Sequence, residues 1–245
     1  MVKGIDVFQE YFQEYTDQYV LIGGAACSLS FEEQDINFGR ITKDLDIVLT
    51  VEAQTKEFGE RFWQFIKDGR YKNRAKSNGK PQFYRFDKPE DDRFPKMIEL
   101  FSRTDYLLKE EDGLTPVHID DSVSSLSAIL LNEAYYQALL DGREIIMGIS
   151  VLKPEWIISF KAKAWLDLRG KTDMDSSNAK KHRNDIIRIA SEIVLKKCSL
   201  PEELKKDMEL FLELFEVSEA ELKNLKIRGV KPDDIKETLK SIYGE

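Results

Sequence analysis

The chain reads as an α/β protein: a mixed sheet flanked by helices, followed by a helical C-terminal region. Three observations predict this. Short apolar runs at 20–22, 47–49 and 97–101 have the length of strands. Before and between them lie longer segments with apolar residues at helical spacing, at 5–18 and 52–68. After residue 153 nearly every segment reads as helix. The expected organisation is a mixed domain over 1–153 and a helical domain over 154–245. The 245 residues are 42% hydrophobic and 11% aromatic, which is ample for a core and suits one large domain or two small ones.

Taken in order, residues 5–18 place Ile5, Phe8, Tyr11, Phe12 and Tyr15 on one helical stripe, which reads as core. The apolar run Val20-Leu21-Ile22 then ends in Gly23-Gly24, and the small residues 25–29 continue as a helix. Asp44-Leu45-Asp46 opens a second strand through Leu49. Residues 52–68 give an amphipathic helix with Phe58, Phe62, Phe65 and Ile66 on its buried face. Residues 67–88 hold eight Lys or Arg against two Asp, with Tyr71, Phe83, Tyr84 and Phe86 interspersed and a turn signal at Asn78-Gly79. This predicts a basic β-hairpin. Its first reading is a solvated hairpin with its rings in the core; the functional alternative is an RNA or phosphate contact.

The next strand, within 94–101, carries Glu99 inside Met97-Ile98-Glu99-Leu100-Phe101. A carboxylate in an apolar strand is costly unless it is paired, binds metal or faces water at the edge. Residues 114–126 read as a short strand and loop, with Asp120-Asp121 as a cap. Residues 127–140 read as an apolar helix ended by Asp141-Gly142, and 143–152 as a strand. Pro154 opens a helix over 155–169. A polar loop follows, then a helix over 178–197. Segments 201–216, 218–226 and 232–242 each begin with a cap-like feature.

Composition narrows the function. The net charge is −8, whereas a protein that coats nucleic acid is usually basic, so any nucleic-acid contact is local. No apolar run approaches the roughly 20 residues that span a bilayer. The segment MVKGIDVFQEYF lacks the apolar core of a signal peptide. The two cysteines, Cys27 and Cys198, follow no metal spacing, and a disulfide scaffold is not expected. A cytoplasmic location is the expectation. His118 and His182 lie far apart and suggest neither a zinc site nor a Ser-His-Asp triad.

The chemistry concentrates in 20–49. Strand side chains alternate, so Asp44 and Asp46 share one face while Leu45 and Ile47 point to the core. Two adjacent carboxylates repel unless a cation lies between them. Hard paired oxygens suit Mg²⁺, which shares its ligands with substrate phosphates. Gly23-Gly24 permits close backbone approach to a phosphate, and the helix start behind it offers free N–H groups.

A glycine pair followed by Asp44-x-Asp46 at the head of an apolar strand resembles the signature of the nucleotidyltransferase (polymerase-beta-like) superfamily. The run Arg40-x-Thr42-Lys43-Asp44-Leu45-Asp46 is most similar to the AbiEii-type branch, which includes toxins of bacterial toxin–antitoxin and phage-defence systems. The stretch 25–43 is longer than the usual family spacing; an insertion around 31–38 would account for it. Two later helices extend the resemblance: Lys161-x-x-Ala164 with Arg169, and a Lys/Arg-rich helix with Lys181 and Asp185. It covers about residues 18–190.

The resemblance implies a nucleotidyltransferase fold and transfer of a nucleotidyl group from an NTP to an acceptor hydroxyl. It implies Mg²⁺ or Mn²⁺ on Asp44, Asp46 and Glu99. The NTP phosphates would lie on Gly23 and Gly24, with Ser28 and Lys43 nearby. Lys161, with Lys163 in reserve, would neutralise phosphate charge, and Asp185 would orient Lys161 or Lys181. For Lys181 and Asp185 an ordinary intrahelical pair is the alternative. The implied acceptors are tRNA, a protein or a small molecule, and an antitoxin is an implied partner. A catalytically silent nucleotide- or partner-binding chain of the same fold is the competing expectation, with Glu99 as the discriminator.

Overall fold

The computed structural model describes residues 2–39, 41–50, 55–75, 81–101, 129, 132–169 and 173–244. The chain forms two compact units, Met1–Val123 with Arg143–Leu152, and Ser124–Gly142 with Lys153–Glu245.

The first unit is built on a mixed seven-stranded sheet. Its strands are β1 (Tyr19–Ile22), β2 (Asp44–Leu49), β3 (Lys72–Ala75), β4 (Pro81–Asp87), β5 (Met97–Phe101), β6 (Arg143–Ile146) and β7 (Ile149–Leu152). They lie in the order β3-β4-β5-β2-β1-β7-β6. The β2/β5 and β1/β7 pairs are parallel and the others antiparallel. β1 and β7 are buried along their whole length, which suits continuous apolar runs in the interior of a sheet.

Among the described residues, three helices accompany the sheet: α1 (Ile5–Phe12), α2 (Gly23–Glu33) and α3 (Lys56–Asp68). Phe8, Phe12 and Tyr19 meet Phe58, Phe62 and Phe65 in a continuous aromatic core. Thr55 caps α3 by accepting from the Phe58 N–H at 3.2 Å. The expected helix over 5–18 stops at Phe12 and continues as a 3₁₀ turn, Gln13–Tyr15. The expected hairpin over 67–88 begins later, because α3 continues through Asp68. The segment 143–152 is a hairpin, not one strand: Met147 and Gly148 both have positive φ, 51° and 73°, and reverse the chain between β6 and β7 in the manner of a type I′ turn.

The second unit is helical: α4 (Glu133–Asp141), α5 (Pro154–Leu168), α6 (Asp173–Glu192), α7 (Glu202–Leu214), α8 (Glu219–Leu225) and α9 (Pro232–Tyr243). α4 belongs here rather than with the sheet. It starts at Glu133 because Asn132 accepts from the Ala134 and Tyr135 N–H groups. α6 starts at Asp173, earlier than its apolar periodicity predicts. Phe211 joins α7 to Trp165 of α5, with ring centroids 5.4 Å apart.

Among the described residues no helix is long and apolar enough to cross a membrane. The expectations at Arg40, 52–54, Asn78-Gly79, 114–126 with His118 and Asp120-Asp121, most of 127–131, and 170–172 lie outside the described residues.

Candidate active site

The site begins with the alternation of β2. Leu45 and Ile47 are buried in the core, so Asp44 and Asp46 project from the other face and remain partly exposed. The parallel register of β2 and β5 sets Asp46 beside Glu99. The antiparallel register of β4 and β5 sets Arg85 on the far side of Glu99. On the other flank, Ile22 of β1 is the partner of Asp46. Arg85, Glu99, Asp46 and Ile22 thus form one rung across four strands, and cross-strand partners share a sheet face.

Gly23 follows Ile22 directly and opens α2. Its φ is +65°, and a Cβ there would overlap Asp46 Oδ2. The positive φ favours glycine here, and the space where a Cβ would lie is taken by the Asp46 carboxylate. That places the carboxylate at the positive end of α2, where negative charge is favoured. The loop before Asp44 is fixed to the same helix. Thr42 donates to the Gly24 carbonyl at 3.4 Å and lies 3.3 Å from the Ser28 hydroxyl. Ser28 is buried and turned to Thr42, so it braces the loop. The Lys43 side chain is exposed, and its carbonyl accepts from the Lys96 N–H at 2.9 Å.

Glu99 is claimed by Arg85. Glu99 Oε1 contacts the Arg85 guanidinium through Nη2, with side-chain exposures of 16% and 29%. Arg85 Nε is buried without a hydrogen-bond partner, so the pair is a contact through one nitrogen rather than a fitted fork. Among the described residues no three His, Cys, Asp or Glu side chains converge to hold a metal ion. The donor chemistry at Asp44 and Asp46 suits Mg²⁺ or Mn²⁺, both of which accept hard oxygens. The carboxylate that would supply a third ligand is the one held by Arg85.

No protein-family model matches the chain, and no curated protein sequence matches it. Among solved structures, an antigenic nucleotidyltransferase-like protein from Paracoccidioides brasiliensis resembles it. The two are 17% identical, the match covers 92% of this chain and 93% of that one, and the TM-score is 0.45. So distant a likeness carries no functional argument; the site residues have to supply it.

The remaining candidates lie in the second unit. Lys161 of α5 and Asp185 of α6 form a buried ion pair at 2.8 Å. Lys181 is exposed, and Asp185 turns to Lys161 across the two helices. Lys163 pairs with Asp167 at 3.2 Å and Asp207 at 3.6 Å. In the hairpin segment, the Tyr71 hydroxyl donates to the Pro95 carbonyl at 2.5 Å. Phe86 packs against Phe62 and Trp63. These two rings belong to the core, as the first reading of that segment has it.

The contacts of Arg85 and Thr42 were not foreseen from the sequence. Arg85 stood out only as one of many cations in a basic segment. Its role depends on register across β4 and β5, which pattern alone does not encode. For Thr42 the signal was present: a small hydroxyl two residues before a buried-strand aspartate.

Proposed function

We propose that the chain is a metal-dependent nucleotidyltransferase of the polymerase-beta-like superfamily, moving an NMP from an NTP to an acceptor hydroxyl. The supporting observation is the rung that aligns Glu99 with Asp46, next to Asp44 and against the Gly23 turn. In this reading Asp44 and Asp46 hold Mg²⁺ or Mn²⁺. The ion would neutralise the triphosphate and stabilise the entering and leaving oxygens. The acceptor oxygen attacks the α-phosphorus in line. The new O–P bond forms as the bond to the β-phosphate oxygen breaks, and pyrophosphate leaves. The hydroxyl proton passes to a base, for which Glu99 is the candidate once Arg85 releases it. The start of α2 favours bound anions through its dipole. Lys161 enters this reading as the partner that fixes Asp185 between α5 and α6; the transfer step does not require it.

By resemblance, the finer proposal is an AbiEii-type toxin that acts on tRNA or protein in the cytoplasm and is restrained by an antitoxin. The second reading, a silent nucleotide- or partner-binding chain, is favoured by the Arg85–Glu99 contact, which leaves the third carboxylate engaged.

The test is transfer from each α-³²P-labelled NTP with Mg²⁺, using total tRNA and cell lysate as acceptors. Label moves to RNA or protein with the wild type and falls at least about a hundredfold with Asp44→Asn/Asp46→Asn. Nucleotide binding without transfer would establish the silent reading. Equal transfer by both proteins would refute the assigned site.

A further inference from the structure

We propose that Arg85 is a built-in competitor of the metal ion for Glu99, so that the nucleotide-free chain offers a two-carboxylate site and gains its third ligand only when Arg85 lets go. This rests on the reading of Asp44 and Asp46 as metal ligands.

Three observations carry it. First, Arg85 and Glu99 are register partners on adjacent strands, so the contact is set by the sheet and not by a wandering surface side chain. Glu99 is at the same time the register partner of Asp46. Its carboxylate therefore stands between a guanidinium on one strand and the aspartates on another. Secondly, the pair is mostly buried, where attraction between charges is less screened than at the surface. Thirdly, the fit is incomplete: Glu99 Oε1 meets Arg85 Nη2, while Arg85 Nε is buried without a hydrogen-bond partner. A bidentate guanidinium–carboxylate fork would engage it. A buried pair that leaves a donor unused is easier to exchange than a fitted one. It also accounts for why three carboxylates do not converge among the described residues.

A cation at Asp44 and Asp46 and the guanidinium of Arg85 thus draw Glu99 in opposite directions. Loss of either lets the other have it. An arginine at this rung makes Glu99 a conditional ligand, and its availability then depends on whatever anion draws Arg85 away.

The test is Mn²⁺ binding to the full chain without nucleotide, read by electron paramagnetic resonance of free Mn²⁺, with circular dichroism to confirm folding. In the wild-type background, Asp46→Asn weakens binding at least about tenfold, while Glu99→Gln changes it less than about twofold. Arg85→Gln tightens binding at least about tenfold, and the gain disappears in Arg85→Gln/Glu99→Gln. If Glu99→Gln weakens wild-type binding as much as Asp46→Asn does, Glu99 is already a ligand and the proposal is wrong, whether or not the Arg85 variant folds. If binding depends on Asp46 but folded Arg85→Gln leaves it unchanged, the competition alone fails. If no protein binds Mn²⁺, or binding ignores Asp44 and Asp46, the metal-site reading fails with it.

Discussion

Lys161 of α5 and Asp185 of α6 are held to each other inside the helical unit. The lysine stands out in sequence because it follows a family-like pattern. Its environment comes from packing: the two side chains are 8% and 3% exposed and 2.8 Å apart. A buried charge stripped of its partner is strongly destabilising. Lys161→Ala or Asp185→Ala should lower stability by about 3–5 kcal/mol, while Lys161→Met/Asp185→Leu should recover most of it. Urea unfolding followed by circular dichroism checks this. Two single variants as stable as the wild type would remove the structural role. The aspartates of β2 were legible for a different reason. Alternation with Leu45 and Ile47 assigns their face from local sequence alone. Gly23 was visible as a turn glycine, but its constraint, the Asp46 oxygen in the place of a Cβ, arises from a strand that lies later in the chain.

At the scale of elements, boundaries follow capping and turn chemistry more closely than apolar periodicity. The Asn132 side chain accepts from two N–H groups and fixes the start of α4 at Glu133. Asn132→Ala should cost about 1 kcal/mol, seen as a lower urea midpoint at an unchanged slope. No change would mean that α4 is held by packing alone. The β6–β7 hairpin was hidden because its turn is Met147-Gly148, without the usual Asn-Gly or Asp-Gly signal. The aromatic helix α3 was legible because its buried face repeats at helical spacing and Thr55 supplies the cap. The pairing of β2 with β5 was not legible, since register between distant strands is set by the whole sheet. The resemblance could set Glu99 beside the aspartates, but its contact with Arg85 could not be read from sequence.

For the whole molecule, burial of ionisable groups predicts a pH response. Burial pushes the Cys198 thiol up to about 11. It also raises the phenols of Tyr19, Tyr71, Tyr135 and Tyr243. Each of these is an acid whose folded pKa exceeds its unfolded one. The stability that it contributes is complete below the unfolded value and is lost as pH rises toward the folded value. Stability should therefore be level near pH 8 and fall above about pH 9, with the thiol alone contributing on the order of 1–2 kcal/mol by pH 10.5. Urea midpoints between pH 8 and 10.5 check this, and a flat profile would contradict it. The chain divides into a sheet-bearing and a helical unit. The membership of α4 in the helical unit was not legible in sequence, because it depends on contacts such as Tyr135 with Phe160 and Asp207.

The central claim is that Asp44 and Asp46 hold a catalytic divalent ion. The most direct measurement is a crystal structure of the full chain grown with Mn²⁺ and a non-hydrolysable NTP analogue, read by anomalous scattering. The account predicts an anomalous peak about 2.0–2.3 Å from carboxylate oxygens of both Asp44 and Asp46, with the triphosphate sharing the ion. A saturated crystal with Mn²⁺ elsewhere, or with the nucleotide bound away from β2, would contradict it.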